Sequence, residues 1–79
     1  MAEWVMVNGA RIERSFLEEN VSEARKYDWE QMRWEKNRDH GHCMICSVAQ
    51  AGGDVCYRSK GGLLCSYCFE RFIARDEPT

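Results

Sequence analysis

The sequence predicts a small α+β fold in which a β-hairpin and a long helix pack on a second half organised by cysteines. Three observations carry this reading. Asn8-Gly9 lies between two short apolar runs, "WVMV" and "ARIE". The stretch from Ser15 to Asn37 contains neither Gly nor Pro. Two C-x2-C pairs, Cys43/Cys46 and Cys65/Cys68, stand 18 residues apart.

Asn-Gly tolerates the positive φ angles of a type I′ turn, so the first runs read as a two-residue-loop hairpin. That register sets Val7 opposite Ala10 and Val5 opposite Ile12. It gives one apolar face and leaves Arg11 and Glu13 on the other. A lone hairpin is marginal in water and needs a cover. The expected cover is a helix opened by a capping box at Ser15–Glu18, or one turn later at Asn20–Glu23, and running to about Asn37. Leu17, Val21, Ala24 and Tyr27 share one stripe of it. Asp28, Gln31 and Glu35 continue that stripe with polar side chains, and Trp29 projects away from it. Gly41 is the expected helix stop, with His40 beside it at the negative end of the dipole.

Beyond the first cysteine pair, "SVAQAGGD" reads as a loop and "VCYRSKGGLLC" as a second hairpin turning near Gly61-Gly62. "SYCFERFIAR" reads as a short helix burying Phe69, Phe72 and Ile73. The tail "DEPT" is expected to fray. Seventy-nine residues suit one domain, 1–79, divided into 1–39 (hairpin and helix), 40–75 (cysteine-bearing subdomain) and a tail, 76–79. So short a chain buries little surface and often needs a metal, a disulfide or a partner.

With 44% hydrophobic and 30% charged residues the chain reads as globular rather than disordered. It has no apolar run of membrane-spanning length and no recognisable secretion signal, so the expected location is the cytoplasm, without a membrane partner. There thiols stay reduced, and paired cysteines point to metal before disulfide. Net charge is −2. Residues 1–42 carry 7 basic and 9 acidic side chains, and residues 43–79 carry 4 of each. Neither half has the basic excess that phosphate binding requires.

A two-residue gap lets both sulfurs of a pair converge on one ion, and two pairs complete a tetrahedral set. Cys43, Cys46, Cys65 and Cys68 are thus the expected ligands of one structural ion, Zn²⁺ with a single iron as the alternative, soft donors with no open position. Cys56 reads as a small buried hydrophobe, and His40 and His42 as turn or cap residues rather than ligands. The arrangement resembles the treble-clef zinc finger, with "HCMICS" as the knuckle, "VCYRSKGGLLC" as the hairpin and "CSYCFERFI" as the strand-to-helix junction. The knuckle departs from the usual form in having Met44 and Ile45 between its cysteines and no Gly after Cys46. The resemblance implies a fold without fixing a function, since the family includes ubiquitin ligases, ribosomal proteins, nucleases and transcription factors.

A degenerate His-Asn-His nuclease is the most distant reading. No histidine lies between the cysteine pairs or after them, and no base and nucleophile set can be assembled. The chain therefore reads as a non-enzyme without a small-molecule substrate. Tyr27, Trp29, Arg33 and Trp34 have the composition of an interaction hot spot, though the favoured reading is that the cysteine-bearing half docks here and buries both indoles as core. The favoured expectation is stoichiometric binding of another protein, as an adaptor, regulator or inhibitor, with small immunity or anti-defence proteins as an analogy. The alternative is a nucleic-acid-binding zinc protein using Arg58, Lys60, Arg71 and Arg75.

Overall fold

The computed structural model describes residues 2–79; Met1, part of the expected 1–79 domain, lies outside them. The first hairpin forms as its turn residues dictate. Strand β1 (Trp4–Val7) pairs antiparallel with β2 (Ala10–Glu13), with Val5 opposite Ile12 and Val7 opposite Ala10. Asn8 and Gly9 take φ of +49° and +80°, the left-handed pair that this turn needs.

Helix α1 spans Arg14–Ala24 only. The capping box does not form: Glu13 occupies the N-cap position without a side-chain cap bond, and Ser15 Oγ donates instead to Glu13 Oε1 at 2.8 Å. Leu17, Val21 and Ala24 are its buried stripe. The expected long helix to Asn37 is absent, and the reason lies in the residues past Ala24. Continuing the helix would turn Asp28, Gln31 and Glu35 toward the core. Instead the last turn tightens, with the amides of Lys26 and Tyr27 donating to the carbonyls of Glu23 and Ala24. Trp29 then folds back, and its Nε1 donates to the Ala24 carbonyl at 2.8 Å, a second and shorter bond to an end group that also accepts from the Tyr27 amide at 3.3 Å.

The chain continues as β3 (Glu30–Arg33), which pairs antiparallel with the later strand β6 (Val55–Ser59). Within it Met32 is half-buried between exposed Gln31 and Arg33, and Trp34, just past the strand, is buried, a short stretch of period-two alternation. Gly41, the expected helix stop, belongs to β4 (Gly41–His42), which pairs with β5 (Ala49–Gln50) inside the expected loop. A Cβ on Gly41 would stand 2.9 Å from Leu63 and 3.0 Å from Trp34, so close packing is its role. Strand β7 (Gly62–Cys65) returns against β6 through the two-residue loop Lys60-Gly61, completing the sheet order β3-β6-β7.

The chain ends in a short helical segment. Helix α2 (Ser66–Cys68) runs into a π-helical stretch, Phe69–Ala74. Phe72 is fully buried, with Phe69 and Ile73 packed at the edge of the core, and Phe69 stacks on Tyr57 at 3.6 Å between ring centroids. The tail is pinned rather than frayed. Arg25 reaches across to the carbonyls of Phe72 and Glu77 and pairs with Asp76 at 3.1 Å, while Arg71 pairs with Glu77.

One core joins both halves. Val7, Leu17, Val21 and Ala24 from the N-terminal side meet Ile45, Leu64 and Phe72, and the four paired cysteines lie among them.

Candidate metal centre

The first pair is held in the bend between β4 and β5. Cys43 donates its amide to the Val48 carbonyl, Ser47 donates to the Cys43 carbonyl at 2.9 Å, and Met44 donates to Leu63 of β7. These bonds close the bend and tie it to the neighbouring hairpin. Ser47 follows the second cysteine with φ of +64°, the left-handed position that a glycine would fill without strain. The amide of Ile45 points at Cys43 Sγ, 3.4 Å away.

The second pair straddles the end of β7 and the start of α2. Cys65 is extended and acts as the N-cap residue, its sulfur accepting from the Cys68 amide at 3.4 Å. Cys68 follows one turn later. The i, i+3 spacing on a helix start therefore aims both sulfurs the same way.

The two pairs converge. The sulfurs of Cys43, Cys46, Cys65 and Cys68 all lie within 4.8 Å of one another, in residues that are at most 4% exposed. Cys46 and Cys65 approach to 3.6 Å between sulfurs. A tetrahedron with metal–sulfur bonds of about 2.3 Å has edges of about 3.8 Å, so the donor set fits one ion. His40 and His42 lie outside the cluster: both are exposed, their rings stack edge-on at 4.9 Å, and His42 Nδ1 meets the Ser47 carbonyl. Cys56 is buried in β6 apart from the four, and burial followed by the nearby Asp54 carboxylate raises its thiol pKa.

The four thiols are close enough to shift one another's ionisation. Hydrogen bonds from Cys46, then Cys65 and Cys68, hold the Cys43 thiol far below its ordinary range. At Cys46 the bond with Cys43 pushes upward, and bonds from Cys65 and Cys68 outweigh it, leaving the group at about 7. Cys65 and Cys68 are pushed well up, first by their bonds to Cys43. A bound cation would displace the protons of these thiols.

A fifth participant was not legible in the sequence. Asn8, in the turn of the first hairpin, directs Nδ2 at Cys65 Sγ (3.7 Å) and Cys46 Sγ (3.9 Å). Its residue type announces only the turn. The sulfur contact follows from docking the hairpin on the distant half.

The other predicted site residues are dispersed. Tyr27 and Trp29 are half-buried and pack edge to face at 6.4 Å, with Tyr27 donating its hydroxyl to Glu23. Arg33 is exposed and donates to the Gly53 carbonyl. Trp34 is only 9% exposed, its Nε1 donating to the Asp39 carbonyl and its ring lying under Arg38. Among the described residues no helix is long and apolar enough to cross a membrane. Comparison with family models, with curated proteins and with solved structures returned no match to this chain.

Proposed function

We propose that this chain is a zinc-stapled, non-catalytic module that binds another protein stoichiometrically, as an adaptor, regulator or inhibitor. Zinc is the ion that best suits four buried thiolates, being soft enough for sulfur and indifferent to geometry beyond the tetrahedron. The order of knuckle, hairpin and helix bearing the second cysteine pair supports a treble-clef reading. With all four positions filled by protein, the metal has no place for a water or substrate and serves the fold.

One observation carries the binding role: the solvent face of the first hairpin sets two exposed large apolar side chains, Trp4 and Met6, beside their cross-strand partners Glu13 and Arg11. Trp4 and Met6 are 52% and 60% exposed, on strand positions whose neighbours point into the core. Arg11 lies over the Trp4 ring at 4.7 Å. Arg71 bridges the Met6 carbonyl and the hydroxyl of exposed Tyr67. Trp, Tyr, Met and Arg on one surface are the composition of a protein interface, and a small protein that leaves them in water has a use for them. We therefore locate the binding face here in preference to Tyr27, Trp29, Arg33 and Trp34, because both of those indoles already have acceptors within the chain.

The nucleic-acid reading has weaker support. Arg71 and Arg75 pair with Glu77, and Arg58 lies 4.0 Å from Glu30, so three of its four cations face carboxylates. The test is native mass spectrometry of tagged protein captured from its own cells after nuclease treatment, in parallel with a Trp4→Ser/Met6→Ser double variant. A salt-tolerant complex of defined stoichiometry, lost in the double variant while the metal is kept, is the expected result. Companions that vanish with nuclease or modest salt, and that the double variant retains, would replace this reading with nucleic-acid binding.

A further inference from the structure

The hydrogen bonds to the cluster divide by origin. Those from the amides of Ile45 and Cys68 are local, each made within its own C-x2-C pair. The contacts of Asn8 come from 38 and 57 residues away and reach one sulfur of each pair, at the seam where Cys46 and Cys65 approach. Among the described residues Asn8 is the one side chain outside the cysteines that donates to the sulfurs.

We propose that Asn8 is a positioning residue of the metal centre, its amide donating to Cys46 and Cys65 so that the first hairpin is locked to the bound ion. The proposal rests on the reading of the four cysteines as a metal site. A metal-bound thiolate has lost its proton and accepts only, whereas a primary amide offers two N–H donors. Four thiolates on a divalent ion leave two surplus negative charges, and donors at the sulfurs draw that charge outward. The turn sharpens the argument. Asn, Asp and Gly all suit its left-handed first position. Asp would set a carboxylate against thiolates, and Gly would supply no donor. Asparagine alone of the three meets both demands.

The same comparison gives the test. Asn8→Gly and Asn8→Asp keep the turn and change only what faces the sulfurs. Each full-length chain would be loaded with zinc and titrated with a competing chelator, then loaded with cobalt(II) and its sulfur-to-metal charge-transfer absorption recorded. Asn8→Gly is expected to keep one metal per chain and a native circular-dichroism spectrum while losing about 10- to 100-fold in zinc affinity. Asn8→Asp should lose more. In both, the charge-transfer band should move to lower energy, because sulfurs stripped of a donor give up electrons more readily. A merely structural turn would leave that band in place. Zinc affinities within twofold of the unsubstituted chain, with an unmoved band, would overturn the proposal. An unsubstituted chain that takes up neither zinc nor cobalt would overturn the metal reading itself, and the proposal with it.

Discussion

Ser47 and Gly41 show how much of the knuckle depends on single backbone positions. An L-residue in the left-handed region costs roughly 1–2 kcal/mol, and glycine escapes that cost. Ser47→Gly should therefore raise stability by about 1 kcal/mol, read as a higher midpoint in urea for the metal-loaded protein. The gain is diminished by the freedom that glycine adds to the unfolded chain. Gly41→Ala should act in the opposite direction, since the added methyl meets Leu63 and the Trp34 ring with little room to yield. The first position could be suspected from the sequence, because the resemblance to a treble-clef finger calls for a glycine after Cys46 and Ser47 stands there instead. The second could not: Gly41 read as a helix stop, and its true neighbours lie in a loop and a strand that the sequence does not bring together.

Among the elements, the hairpin of β1 and β2 was legible to its register because Asn8-Gly9 specifies a turn and the turn specifies the pairing. The helix was legible only as far as its apolar stripe. The mistaken extension came from trusting helix-forming residues after that stripe had turned polar at Asp28. Alternation at Met32 and Trp34 was the competing signal. It was too short to prevail alone, and its pairing partner, β6, lies more than 20 residues along the chain. Trp29 marks the true boundary. Trp29→Phe should keep most of the packing and lose the bond to the Ala24 carbonyl, at a cost of about 1 kcal/mol. Chemical denaturation would measure it, and amide exchange should show faster opening at the end of α1. Phe72 was legible too, as part of a spaced apolar set, although the winding around it is wider than an α-helix. Phe72→Ala should cost about 3–5 kcal/mol, because the ring is fully buried among residues from both halves.

At the scale of the whole molecule the cysteine site was the most legible feature, since two C-x2-C pairs carry their geometry locally. How the halves meet was not written in any spacing. The core shows that the sulfurs serve both: they lie among Val7, Leu17, Val21 and Ala24 as much as among Leu64 and Phe72. Zinc binding worth roughly 10–16 kcal/mol in small fingers rivals the entire stability of a domain of 5–15 kcal/mol. Removing the metal with a chelator, or one ligand by Cys68→Ser, should therefore melt α1 together with the cysteine-bearing half in one transition. Far-ultraviolet circular dichroism and amide exchange would follow both regions at once. Protection that survives along α1 in the metal-free chain would show that the N-terminal half folds by itself.

The long reach of Asn8 also suggests an order of events to test. Each cysteine pair spans only two intervening residues, and the two pairs close a loop of 18, whereas the hairpin turn meets the sulfurs across 38 and 57 residues. Contacts between distant residues carry the larger loop-closure entropy and tend to form late. The expected order is therefore closure of the cysteine set first and docking of the hairpin last. Asn8→Gly should accordingly hasten unfolding while leaving the refolding rate almost untouched, the kinetic mark of a bond made after the barrier has been crossed.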